Sequence, residues 1–431
     1  MITRPEKFCI LGAGSSGLAA AKNFAQLRIP FDCLEREDDV GGNWYYGKPA
    51  SSVCRSTHLI SSKRLTEYPD FPMPEEYPHF PSQEQAWEYL RAYARHFRLY
   101  DHIEFNTPVE WIERAADGWD VRLASGERRR YRGLVIANGH NWDPQWPNYP
   151  GAFDGDVLHS SEYKTPEVLA GRRVLVVGAG NSGCDIAVEA AQHAVATFQS
   201  TRRGYHYLPK FLLGKPIDLC GERLLRWRVP LWLRRRISGA LARIAIGPPE
   251  RYGLPRPDHQ LFETHPIINS QMLYYVGHGR IRPKPDVQQL AGDRVRFVDG
   301  TEEQIDLIVY ATGFKISFPF IDSEQLNMRD GRPELFLNIF HPLRDDLFVI
   351  GLIQPDSGQW GLADCQAQLV ARYIDGLDRG TAAAAEFRRR KGRERPDLGA
   401  GIRYLNSPRH WVEVEHFSYR NRLRKLIGQL A

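Results

Sequence analysis

The sequence lacks the marks of several common protein classes. Its six cysteines, Cys9, Cys33, Cys54, Cys184, Cys220 and Cys365, are dispersed, and no Cys-x-x-Cys pair occurs. That argues against a disulfide framework and a redox-dithiol enzyme, and predicts a reducing, cytoplasmic setting. No apolar run is long enough to cross a bilayer, so no membrane span is expected. The first apolar run is soon broken by glycines, which predicts no signal peptide. The fourteen histidines form no His-Glu-x-x-His pattern and share no zinc spacing with cysteine, so no metal site is predicted. There is no Gly-x-Ser-x-Gly elbow. A formal charge of +5 is too mild to predict a nucleic-acid partner. Low-complexity tracts and short-period repeats are absent.

What is present is one phrase written twice. Near the start stands FCILGAGSSGLAAAKNF, and from Val174 the chain writes VLVVGAGNSGCDIAVEAA. In the first copy, Phe8 to Leu11 reads as a buried strand. Gly12 permits a tight turn, Gly14 lets backbone approach a pyrophosphate, and Gly17 lets the next helix pack on the sheet. Ala13, Ser15 and Ser16 complete that turn, and the free N–H groups at the helix start favour phosphate. The helix is expected over 16–27. A second strand, FDCLERE, carries Glu35 at its end, where a ribose hydroxyl partner belongs. This site fits FAD or NAD.

The second copy repeats the layout with Gly178, Gly180 and Gly183, a strand over 173–177, a helix over 182–191 and a strand ATFQS. The step that leads from Gly12 to Glu35 leads from Gly178 to Thr201, followed by Arg202 and Arg203. No acid stands there. A carboxylate would repel a 2′-phosphate, whereas two guanidinium groups attract it. The second site therefore fits NADPH, and the pair predicts a flavoprotein reduced by NADPH.

With 431 residues, two or three domains are expected. The fold class is α/β, with two Rossmann-like dinucleotide-binding domains, each with an antiparallel insertion. The insertions are expected from strands over 103–113, 119–124 and 131–137 in the first half, and from a hairpin at Asp299-Gly300 followed by a strand ending at Gly313 in the second. A helix is expected over 84–97. The tail from 347 is expected to return to the first half. The division is 1–163 plus 315–431 for FAD and 164–314 for NADPH. Residues 223–243 hold seven arginines and two tryptophans and read as an amphipathic insertion, broken at Pro230, with its arginines in water. A membrane-surface helix or a nucleic-acid patch is the competing reading. The run 387–396 reads as solvated surface.

One segment sharpens the functional reading. FDGDVLHSSEY carries Phe153, Gly155, His159 and Tyr163 in the order Phe-x-Gly-x-x-x-His-x-x-x-Tyr. It resembles the fingerprint of the flavin-containing monooxygenases, and it lies just before the second glycine motif as in that family. GGNW (41–44), GAGNSGCDIA, STRRG, RYGLPRP (251–257), YATGF (310–314) and GLIQP (351–355) resemble further family motifs. The resemblance covers essentially the whole chain. It implies an FAD contact set extended by Arg36, Gly42, Asn43, Trp44, Ile60, Ser61 and Gln354. It implies an NADPH set extended by Asn181, Ser182, Asp185, Thr312 and Gly313. His159 reads as a brace between domains rather than an acid or base.

The implied activity is NADPH-dependent monooxygenation. Reduced FAD reacts with oxygen to a flavin hydroperoxide, which transfers one oxygen atom to a small organic substrate at nitrogen or sulfur. Baeyer–Villiger or decarboxylative oxygenation of a carbonyl compound is the alternative, and a non-catalytic flavin-binding redox module is the alternative of another class. The expected partners are the small molecule and molecular oxygen, with a homodimer as the expected assembly. In one place the chain departs from the family pattern: anchoring on Ser62, Lys63 and Asp70 puts Ile60 where many members carry an asparagine. The neighbouring Thr57 and His58 are the other candidates for its donor role.

Overall fold

The computed structural model describes every residue except Arg228, and only the backbone of Arg226. Two separate sheets organise the chain. The larger has seven strands. Ile2–Leu11 lies at its centre, with Phe31–Leu34 and then Ile103–Glu104 parallel on one side and Arg128–Ile136 parallel on the other. Gly118–Leu123 and Val109–Ala115 continue the sheet antiparallel. The tail returns as expected: Leu347–Val349 pairs in parallel with Arg128–Ile136.

The central strand alternates sides. Phe8 and Ile10 face a core shared with the helices Ser15–Gln26, Gln83–His96 and Trp360–Asp378, while Cys9 and Leu11 face a second core with Trp119 and Tyr131. Parallel strands need cover on both faces, and the period of two distributes it. All six cysteines are free.

The second sheet has five parallel strands in the order Ile281–Lys284, Ala196–Ser200, Arg173–Val177, Leu307–Tyr310 and Asp156–His159. Val174 and Val176 pack under the helix Asn181–His193; Leu175 and Val177 pack on Phe297 and Val295. Those two residues belong to a separate sheet containing the hairpin Arg294–Phe297 and Glu302–Gln304, which turns at Asp299-Gly300 as expected.

Several expected boundaries move. The strand expected over 103–113 splits into Ile103–Glu104 and Val109–Ala115, because Asn106 turns the chain at φ 53°. The strand expected to reach Gly313 ends at Tyr310. Two short strands lie just before the boundary expected at 163/164. Gly151–Phe153 pairs with Val287–Gly292 of the separate sheet that carries the hairpin, and Asp156–His159 pairs with Leu307–Tyr310 at the edge of the second sheet. No local signal specifies these pairings. The two chain crossings meet as an antiparallel ribbon, Asp143–Pro144 against Phe314–Lys315.

The arginine-rich segment forms two helices, Ile217–Arg226 and Leu231–Ile246, separated at Pro230. The basic run at 387–396 is not wholly solvated. On the helix Ala382–Arg393, Phe387 and Lys391 lie one turn apart on the inward face and are buried. Lys391 Nζ donates to the carbonyls of His341 (2.9 Å), Pro342 (3.2 Å) and Arg344 (2.8 Å), and pairs with Asp345 at 3.1 Å. Lys391→Met is expected to lower stability by roughly 2–4 kcal/mol, because three carbonyls lose their donor. Urea unfolding checks this; an unchanged midpoint would mean that water replaces the ammonium at no cost.

Candidate active site

Four strand ends converge at one edge of the larger sheet. Gly12 N–H donates to Leu34 O (2.8 Å), Ala137 N–H to Leu11 O (3.0 Å) and Ile350 N–H to Ile136 O (2.9 Å). The first glycine turn sits on this edge. Gly12 has φ 95°, which a side chain resists, and a Cβ on Gly17 would overlap the Gly12 carbonyl oxygen. Gly14 differs. Its backbone is extended, and a Cβ there would meet only Gly42, with Cα at 3.5 Å. The Gly41-Gly42 loop lies on the turn, tied by Gly41 N–H to Ala13 O at 3.0 Å. From the other side Gly351 approaches Ser16 so closely that a Cβ would overlap its hydroxyl.

Glu35 is buried just beyond the end of Phe31–Leu34. Its Oε2 accepts Ala13 N–H at 2.6 Å and its Oε1 accepts Glu37 N–H at 2.9 Å. Burial raises its pKa, and the two N–H donors oppose that rise. A carboxylate keeps further lone pairs for a hydroxyl donor. Other predicted side chains are spent on the protein itself. Asn43 Oδ1 accepts Ser52 N–H and Oγ–H, both at 2.7 Å, and Trp44 stands edge-on to Trp360 at 5.8 Å. Arg36 lies 5.9 Å from the Trp142 ring.

The helix Ser15–Gln26 begins at Gly14 with no side-chain cap and no acid in its first turn. The helix Asn181–His193 begins at Gly180 in the same way. Three other helices are capped by Ser82, Thr381 and Glu415, and Ile217–Arg226, Leu231–Ile246 and Trp360–Asp378 also start without a side-chain cap but follow no Gly-x-Gly-x-x-Gly turn. Two bare helix starts, each behind a glycine turn that admits no Cβ at its first and third glycines, leave N–H donors for an anion. This donor set fits a pyrophosphate at both places.

At the second turn, a Cβ on Gly178 would overlap Ala311 O and one on Gly183 would overlap Gly178 O. Asn181 ties down a neighbouring strand, accepting Ile268 N–H at 2.8 Å. Asp185 accepts Asn269 Nδ2–H at 2.6 Å. Ser182 is exposed. Thr312 Oγ1 donates to Gln145 O (2.6 Å), and Gly313 O accepts Gln145 N–H (2.9 Å), so this pair pins the crossing ribbon. The two arginines part company. Arg202 is exposed and has no ion pair among the described residues, whereas Arg203 pairs with Asp258 at 2.9 Å. Sequence reading missed Arg409. Its Nη2 would lie 3.5 Å from a Cβ on Gly180, and it comes from the far C-terminal part of the chain, where no local signal marks it.

His159 is fully buried. Its Nδ1 accepts Ser161 N–H at 3.1 Å, which places the proton on Nε2, donating to Gly313 O at 3.1 Å. Burial holds its pKa below the ordinary value. A neutral ring joining the fingerprint segment to the Gly313 turn is the geometry of a brace. Ile60 and Ser61 are half-buried, and the next residue, Ser62, donates its N–H to Asp218 at 2.6 Å. Thr57 Oγ1 accepts Cys54 N–H (3.0 Å), and His58 is exposed with Nδ1 on Ser56 O (2.8 Å). Gln354 N–H donates to Val412 O at 2.7 Å.

A family model described as FMO-like, flavin-binding monooxygenase-like, matches residues 5–425. The chain belongs to this family. It is 30% identical to flavin-containing monooxygenase 5 of Rattus norvegicus, over 98% of this chain and 83% of that protein. It is 32% identical to the N-oxide-forming dimethylaniline monooxygenase 2 of Rattus norvegicus, over 87% and 74%. Its fold matches cyclohexanone-bound cyclohexanone monooxygenase with a TM-score of 0.70 at 18% identity, covering 99% of this chain and 98% of that one. The family member described here is an FAD- and NADPH-dependent monooxygenase acting on a small molecule with molecular oxygen. Among the described residues no helix is long and apolar enough to cross a membrane.

Proposed function

We propose that this monooxygenase transfers one oxygen atom to nitrogen or sulfur of a small organic substrate. In this reading the chain forms two Rossmann-like units. Residues 1–142 with 316–431 hold FAD, residues 145–313 hold NADPH, and the ribbon at 143–144 and 314–315 joins them. The observation that carries the assignment is the pair of uncapped helix starts behind close-packed glycine turns. The six free cysteines fit a reducing cytoplasm.

Bound FAD, reduced by NADPH, supplies the oxygen activation. The protein supplies binding, orientation and exclusion of water. The backbone N–H groups from Gly14 to Gly17, and those from Gly180 to Gly183, receive the two pyrophosphates. Glu35 accepts from the FAD ribose hydroxyls while its other contacts hold the turn. Arg202 meets the 2′-phosphate, and Arg409 lies where it adds positive charge beside Gly180. Ile60 cannot donate a hydrogen bond from its side chain, so its part beside the flavin would be to keep water out.

Carbonyl oxygenation is the second reading; the missing amide at residue 60 and the fold match to cyclohexanone monooxygenase favour it. One experiment separates the readings. The yellow protein is supplied with NADPH and air, and given thioanisole, N,N-dimethylaniline or cyclohexanone. One sulfoxide or N-oxide is expected per NADPH consumed. Lactone as the sole product would favour carbonyl oxygenation. A flavin that NADPH fails to bleach would mean a binding module.

A further inference from the structure

A cavity of about 100 Å³ lies between the arginine-rich helices and the C-terminal segment. Water-sized spheres take about 10–15 Å³ each on this scale, so it holds roughly seven to ten of them, the size of one substituted ring. Its walls are mostly apolar, including Leu212, Leu224, Leu241, Phe262 and Phe417. Asp218 joins it to the Ile60 segment through Ser62, and Asp356 and Ser357 closely follow Gln354. On the reading above, the cavity therefore adjoins the flavin.

Among these walls stands Arg234, only 8% exposed. Its neighbours on the helix are provided for. Arg235 pairs with Glu263 at 3.1 Å and donates to Leu261 O at 3.0 Å, and Arg236 is exposed beside the Trp232 ring. The Arg234 side chain has no ion pair or hydrogen bond among the described residues, and it lies 5.7 Å from the Phe262 ring. A guanidinium does not shed its proton, and burying a charge without a partner is costly. The two nearby acids are answered by backbone. Asp218 accepts N–H from Ser62 (2.6 Å) and Leu219 (2.9 Å), and Asp356 accepts N–H from His416 (2.9 Å). Burial and the neighbouring Glu415 push the Asp356 carboxyl up to about 6, against the opposing pull of the His416 N–H and the Arg234 charge. The Ser357 hydroxyl is buried with no partner among the described residues.

We propose that this cavity takes an apolar organic acid, its carboxylate held by Arg234 with Ser357 as a second donor. The N–H groups of a planar guanidinium fork match a carboxylate, and the apolar walls match its body. Arg234 then fixes the far end of the substrate, so that the atom to be oxygenated is presented by position rather than by basicity. The proposal rests on the monooxygenase site described above.

The test uses the oxidised, FAD-loaded enzyme and calorimetry with three probes of similar size: benzoate, benzamide and benzylamine. Benzoate is expected to bind at least tenfold more tightly than the other two. Arg234→Met should erase that preference, Arg234→Lys should keep part of it, and Arg236→Met should keep it all. Equal binding of benzoate and benzamide by the unaltered enzyme would overturn the proposal whether or not any variant folds. Tighter benzylamine would overturn it in favour of an ammonium site on Asp218 and Asp356. A preference that survives Arg234→Met, or disappears in Arg236→Met, would also overturn it. Binding needs no turnover, so the two readings fail separately. Benzoate binding through Arg234, with 4-(methylthio)benzoate never sulfoxidised, would remove sulfur oxygenation and leave the anion site standing.

Discussion

Gly14→Val is expected to give a folded but colourless protein. Gly14 is extended, at φ −73° and ψ −174°, so valine fits its backbone. The first added carbon meets Gly42 Cα at 3.5 Å, an ordinary contact. The two methyl groups beyond it occupy the space through which backbone N–H groups reach a pyrophosphate. Flavin content should fall from near one per chain to near zero while circular dichroism stays unchanged. Gly17→Ala makes the contrast. Its Cβ overlaps the Gly12 carbonyl oxygen, so helix and turn must separate, and that protein should lose stability as well as colour. Full flavin in Gly14→Val would show that FAD is held elsewhere.

The second large effect concerns coenzyme choice. Arg202→Gln is expected to raise KM for NADPH roughly ten- to a hundredfold and to leave NADH almost unaffected. A hydrogen bond to a charged group contributes about 1.5–3 kcal/mol, which is that range. Arg203→Gln should do less, because Arg203 is already shared with Asp258 at 2.9 Å. Asp258→Asn should release Arg203 and improve NADPH use. Steady-state kinetics with both coenzymes check all three. Equal use of NADPH and NADH by the unaltered enzyme would remove the 2′-phosphate assignment altogether.

The arginine pair shows how far sequence reading reached. Both residues stand just beyond Ala196–Ser200, where the step from Gly178 puts them. That step could not say that Asp258, from a distant loop, would claim one of them. Asn181 and Asn43 teach the same lesson. Motif resemblance named them as cofactor contacts, and the structure shows their amide oxygens accepting backbone N–H groups at Ile268 and Ser52. Lys391 reads as solvated because its run is basic; one helical turn carries it inward beside Phe387.

The sequence by itself determined the two glycine turns, the strands and helices on either side of them, the acid that ends one second strand and the arginines that end the other. These signals are local: a positive φ, a strand or helix period, a fixed step along a strand–turn–helix unit. Only the tertiary structure decided that Asp156–His159 pairs with the second sheet, that Arg409 reaches Gly180, and that Arg234 is enclosed without an ionic partner among the described residues. Each of these depends on which distant segments the folded chain closes upon, and neither composition nor periodicity carries that information, because the same local pattern can be satisfied against many different neighbours.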